Sequence, residues 1–139
     1  MREPRIRDVI ALSRRADVLL HGIGTAEEMA RRRGFDDETT MDLIARGAVG
    51  EAFGYYFNAQ GEIVYTTASV GLRLHDLANI ARVVAVGGGR SKAWAILAVL
   101  STGRCHVCIT DEGAARKVMR LKARTQIEGG VTDDDQDWD

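Results

Sequence analysis

The sequence has little of what would commit it to a membrane, a nucleic acid or redox chemistry. Its longest apolar run, Ala93 to Leu100, has the length of a core helix. Crossing a bilayer takes about 20 apolar residues. No secretory signal pattern is visible. Nineteen Lys and Arg against twenty Asp and Glu leave a formal net charge of −1. A nucleic-acid-binding face needs a basic excess, and none is present. Helix-turn-helix patterning, zinc-finger spacing and a basic arm are also missing. The expectation is a cytoplasmic domain with no membrane contact and no DNA contact of its own.

Cysteine is equally sparse. Cys105 and Cys108 are the two in the chain, and their C-x-x-C spacing invites a redox or metal reading. The segment Cys105 to Ile109 reads as a strand, however. Residues three apart on a strand face opposite sides, so the two thiols should not meet. A structural zinc site would also need a second ligand pair. Neither a metal nor a cofactor is expected, and no Ser-His-Asp or Cys-His arrangement stands out. No residue is assigned a catalytic role.

What remains is one domain's worth of ordinary globular sequence, 139 residues with 45% hydrophobic content. Pro4 to Arg15 reads as a helix with Ile6, Val9, Ile10 and Ser13 on one face. Asp17 to His21 is a short apolar strand ending in Gly22-Ile23-Gly24. Thr25 then caps a helix, with Glu28 at the capping-box position and Gly34 as its stop. Asp37 to Ala45 is a further helix. Phe53 to Phe57 and Glu62 to Thr66 form a hairpin through Asn58-Ala59-Gln60-Gly61. A short helix spans His75 to Ile80. Val83 to Val86 is a strand that runs into Gly87-Gly88-Gly89, and the buried helix Ser91 to Leu100 follows. His106 to Thr110 is a third core strand and Asp111 to Lys122 the last helix. Residues 123–139 turn acidic and read as a disordered tail. The fold class is α/β: a partial Rossmann-like parallel sheet with crossover helices and a β-hairpin. Three core strands are few for a doubly wound sheet, and the chain opens on a helix. Both features suggest the later part of a larger domain.

Open parallel sheets bind ligands beyond the carboxyl ends of their strands. The sharpest signal there is Gly87-Gly88-Gly89-Arg90-Ser91-Lys92. Gly88 and Gly89 let the backbone approach an anion and point N–H groups at it. A helix start adds partial positive charge. Lys92 and Arg90 are unfavourable at that end unless an anion arrives. The spacing is not that of a Walker P-loop. The first loop holds a G-x-G without the third glycine of a dinucleotide fingerprint.

Arg31, Arg32 and Arg33 end the helix after that loop, and arginine pairs well with phosphate. By helical angle Arg33 lies nearest the Met29 face. Glu51 is a lone carboxylate among small and apolar neighbours and needs a partner. It could accept hydrogen bonds from sugar hydroxyls, pair with an arginine, or act as a base. Asp111 and Glu112 fit a helix first turn. His21 reads as strand-end packing.

The stretches HGIGTAEEMARRRG, GAVGEAFGYYFNAQGEIV, SVGLRLHDL, VVAVGGGRSKAWAI and ITDEGAA resemble, in this order, the effector-sensing domain of SorC/DeoR-type bacterial transcriptional regulators. The likeness covers about Asp17 to Met119. It implies a fold similar to the phosphosugar isomerase, deaminase and coenzyme A transferase group. It implies a phosphosugar effector, with fructose bisphosphate the first expectation, in a homo-oligomeric regulator. The family's ligand arginine falls on Arg32, its sugar-facing glutamate on Glu51 and its phosphate lysine on Lys92. Residues 1–122 are then the C-terminal part of an effector-binding domain. The DNA-binding domain and a glycine-threonine phosphate loop of the family are not in the sequence. The alternative is a phosphosugar isomerase or deaminase that uses Glu51 and Asp111 as acid and base.

Overall fold

The computed structural model describes residues 4–128. Helix α1 (Pro4–Ser13) buries none of its residues. Strand β1 (Val18–Gly22) follows, then the two-residue strand β2 (Gly24–Thr25) and helix α2 (Ala26–Arg32). Thr25 closes β2 and caps α2: the Glu28 N–H donates to its Oγ1 at 3.3 Å. Asp36 does the same for α3 (Asp37–Ala45), accepting from the Thr39 N–H at 2.7 Å. Strands β3 (Gly50–Ala52), β4 (Tyr55–Phe57) and β5 (Ile63–Thr66) come next, and a 3₁₀ turn spans Leu74–Asn79. Strand β6 (Arg82–Val86) leads through a 3₁₀ turn, Arg90–Lys92, into α4 (Ala93–Ser101). Strand β7 (Val107–Ile109) and α5 (Glu112–Glu128) complete the described residues.

Two sheets result. β1, β6 and β7 form a parallel sheet in the order β1-β6-β7, with Leu20 beside Val84 and Val84 beside Val107. β6, α4 and β7 make the expected parallel crossover unit. The second sheet is antiparallel, in the order β2-β3-β4-β5, and it enlarges the predicted hairpin. β3 and β4 are joined by Phe53-Gly54, with φ of 58° and 82°. Positive φ at both central residues is the type I′ turn, whose twist matches that of paired strands. Phe53, predicted as a strand residue, is therefore a turn residue.

Helix α4 fills the space between the antiparallel sheet and α5. Ala93, Ala95, Ile96, Leu97, Ala98 and Val99 are all buried, joined by Ile23, Phe57, Ala85, Val118 and Leu121. Close approach explains Gly50: a Cβ there would lie 2.8 Å from the Ala95 Cα. A second cluster, Ala26, Ala30, Leu43, Ala48 and Tyr56, packs α2 and α3 against the other face of the antiparallel sheet.

Two expectations change. The predicted tail begins too early, because α5 continues to Glu128, and within that extension Thr125 Oγ1 donates back to the Leu121 carbonyl at 3.3 Å. The rest of the tail, 129–139, lies outside the described residues. Cys105 precedes β7 rather than lying in it, so the opposite-face argument does not apply to it. Both cysteines are free and pack against the same core cluster.

Candidate functional site

The loops after β1, β6 and β7 meet at the carboxyl edge of the parallel sheet. Gly87 holds the first contact: its N–H donates to the Ile109 carbonyl at 3.1 Å. Gly89 adopts φ 94°, a conformation open to glycine. Its N–H donates to Asp111 Oδ2. Asp111 Oδ1 accepts from the Ala114 N–H at 2.9 Å, so the same carboxylate caps α5. The Gly89 N–H first, and that of Ala114 second, hold the Asp111 carboxyl below the usual carboxylate range. Gly88 is where backbone and carboxylate press together: a Cβ there would sit 2.9 Å from Asp111 Oδ2.

Lys92 stands at the entry to α4, as the sequence predicts. Its Nζ donates to the Ile23 carbonyl at 3.1 Å. Ile23 is the residue between β1 and β2, and its neighbour Gly24 pairs across the ladder with Glu51. The backbone thus links Lys92 and Glu51 through two consecutive residues.

Glu51 is buried, with 5% of its side chain exposed. Its Oε1 accepts from Arg33 Nη2 at 2.8 Å and from the Gly54 N–H at 2.6 Å. Of the partners open to it in the sequence, an arginine is the one present. Directly opposite on β4 is Tyr56, wholly buried, whose hydroxyl has no hydrogen-bond partner among the described residues. Burial first, then the Glu51 charge, push the Tyr56 phenol up.

The three arginines separate clearly. Arg31 bonds Glu27 at 2.7 Å and Arg32 bonds Glu28 at 2.6 Å, both one helical turn back on the exposed side. Arg32 is 69% exposed and Arg33 31%. The helical-angle argument thus predicted which arginine turns inward, whereas the resemblance pointed to Arg32. His21 packs on Phe53 with ring centroids 4.4 Å apart and the rings tilted by 46°. Its Nδ1 lies 3.1 Å from the Gly22 carbonyl, and its Nε2 is buried without a partner among the described residues. Desolvation lowers its proton affinity.

Sequence reasoning missed Tyr56 and the Ile23 carbonyl. Once β3 and β4 are paired across the Phe53-Gly54 turn, period-2 counting puts Tyr56 beside Glu51. The Ile23 carbonyl leaves no sequence signal, since every residue has one.

A family profile described as "Putative sugar-binding domain" matches residues 1–120. The chain belongs to that family. It is a sugar-binding domain of the SorC/DeoR type found in transcriptional regulators. It is 47% identical over 118 residues to the central glycolytic genes regulator of Bacillus subtilis (strain 168), covering 85% of this chain and 35% of that protein. It is 33% identical over 124 residues to the transcriptional regulator LsrR of Escherichia coli (strain K12), covering 83% and 39%. The chain therefore spans about a third of the length of the first of these relatives and two fifths of the second. Among solved structures, the "putative SorC family transcriptional regulator" of Enterococcus faecalis superposes with a TM-score of 0.78 at 39% identity. That match covers 85% of this chain and 48% of that one. The full-length sorbitol operon regulator SorC of Klebsiella pneumoniae shares the fold, with a TM-score of 0.73 at 20% identity over 84% of this chain and 40% of that one. Among the described residues, no helix is long and apolar enough to cross a membrane.

Proposed function

We propose that this domain binds a phosphorylated sugar and leaves it chemically unchanged, as the sensing part of a cytoplasmic, homo-oligomeric transcription regulator. One observation carries the reading. A glycine turn and an ammonium, Gly88-Gly89 and Lys92, lie together where α4 begins, at the carboxyl edge of a parallel sheet. Backbone N–H groups, a helix start and a cation are the ingredients of a phosphate seat. Glu51 and Arg33 supply carboxylate and guanidinium chemistry suited to hydroxyls and to a second anionic group. Arg32 would have to release Glu28 to reach the same ligand. DNA contact would belong to a separate domain, and the ligand would act by favouring one arrangement of subunits.

The isomerase or deaminase alternative needs a free acid or base. Glu51 is held by Arg33 and Gly54, and Asp111 by Gly89 and Ala114. That commitment supports sensing over catalysis. Fructose bisphosphate is the first ligand to test. Calorimetry should show saturable binding, weakened by Lys92→Ala by about 1–3 kcal/mol, the scale of one charge-assisted hydrogen bond. Nuclear magnetic resonance of the ligand should show no turnover. Unchanged affinity in Lys92→Ala would remove Lys92 from the site. Turnover abolished by Glu51→Gln would replace the sensor with an enzyme.

A further inference from the structure

We propose that Asp111 is an internal competitor for the phosphate seat: its carboxylate occupies the Gly89 N–H that a ligand phosphate takes, and binding exchanges one anion for the other. The inference rests on reading the glycine turn as a phosphate site, and it adds the price of entry and the route by which entry is felt. The seat is filled from within. The Gly89 N–H is bonded to Asp111 Oδ2. The carboxylate lies so close to the turn that residue 88 has no room for a Cβ. A single N–H points at one acceptor well. Two anions over one turn also repel each other, so carboxylate and phosphate exclude one another there.

Lys92 is held back in the same way. Its ammonium rests on a neutral carbonyl, that of Ile23, and pairs with no carboxylate among the described residues. The seat's anion and its cation are thus each kept by a different internal partner. An arriving phosphate can take Gly89 from Asp111 and Lys92 from Ile23 at once.

The exchange has a direction. Asp111 is the residue before α5, and its other oxygen caps that helix at Ala114. α5 also packs on the Arg90–Lys92 turn. Losing the Gly89 bond removes the hydrogen bond that joins the glycine turn to the cap of α5, and the helix's first turn is what can move. Asp111 is then a specificity-setting residue. Ligands that cannot offer a strong anion fail to displace it.

The test is a titration of the ¹⁵N-labelled chain with sodium phosphate, against sodium chloride at equal ionic strength. The amides of Gly89 and of Glu112 to Ala115 are followed in the wild type, Asp111→Asn and Lys92→Ala. Asparagine keeps an oxygen for the Ala114 N–H and removes the charge. The wild type is expected to show saturable shifts at Gly89 and in the first turn of α5 together. Asp111→Asn should bind phosphate more tightly, on the order of threefold, the scale of removing one exposed like charge. Lys92→Ala should bind more weakly. If the wild type saturates at Gly89 but Asp111→Asn binds equally or less tightly, Asp111 merely shapes the turn and the competitor is overturned, while the phosphate site stands. If neither protein shows a saturable shift at Gly89, the phosphate reading fails and the competitor with it. Should Asp111→Asn not fold, Asp111→Ser keeps a capping hydroxyl without charge and carries the same expectation.

Discussion

The two sheets are finished differently. The antiparallel sheet is covered on both faces across β3 and β4, and only its edge strand β5 is largely exposed. Gly50 and Ala52 meet α4, while Tyr56 and Glu51 face α2 and the end of its last turn. The parallel sheet is covered on one. Val83 and Ala85 are fully buried, but Val18 and Leu20 are 58% and 65% exposed, and Val86, Val107 and Ile109 are exposed beside them. Parallel sheets are almost always covered on both faces, and their strands read as unbroken apolar runs. Val18-Leu19-Leu20 and Val83-Val84-Ala85-Val86 are such runs. The strands are written for a sheet with two covered faces, and among the described residues one face has no cover. The glycine turn and Lys92 sit where the finished sheet meets the unfinished one.

The largest effect should come from the finished side. Gly50→Val drives a side chain into the backbone of α4 and should cost about 3 kcal/mol, read by urea denaturation. A cost under about 1 kcal/mol would mean that α4 is not clamped there. A middle effect belongs to His21, on the covered face of β1. Its folded proton affinity lies below the ordinary imidazole value of about 6.5. The unfolded chain therefore takes up the proton first as pH falls. The stability is complete above about pH 6.5 and declines as pH drops through it toward the lower folded value. His21→Phe should flatten that decline in melts across the range. An unchanged slope would assign it to another group. The smallest effect on stability should come from the open face. Leu20→Lys is expected to stay within about 0.5 kcal/mol. It should nonetheless abolish a self-association of the wild type seen by analytical ultracentrifugation, since open apolar patches associate. A large destabilisation, or a wild type that stays monomeric, would mean that the face is not what the comparison makes it.

The elements legible in the sequence are those whose residues state their environment. The apolar run from Ala93 gives α4, the glycines before it give the turn, and Thr25 with Glu28 gives a cap. β2 and β3 were illegible because Gly24-Thr25 and Gly50-Glu51-Ala52 contain one β-branched residue between them. Pairing, rather than propensity, makes them strands. Phe53 looks like the first residue of an aromatic strand, and the turn it occupies depends on the glycine after it. Arg33 was legible from helical geometry because its choice is local. The Gly89–Asp111 bond was not, since it joins loops whose approach depends on β6 and β7 pairing in register.

Helix α4 starts at the glycine turn and Lys92, lies against β2, β3 and β4 on one side and α5 on another, and buries six of its nine residues. Its alanines let the neighbours come close, and that closeness leaves little room to slide, tilt or roll. Such a helix behaves as a strut. A push at its first turn is delivered to the parts around it with little lost to bending, and so motion at this end of the molecule belongs to the loops on either side.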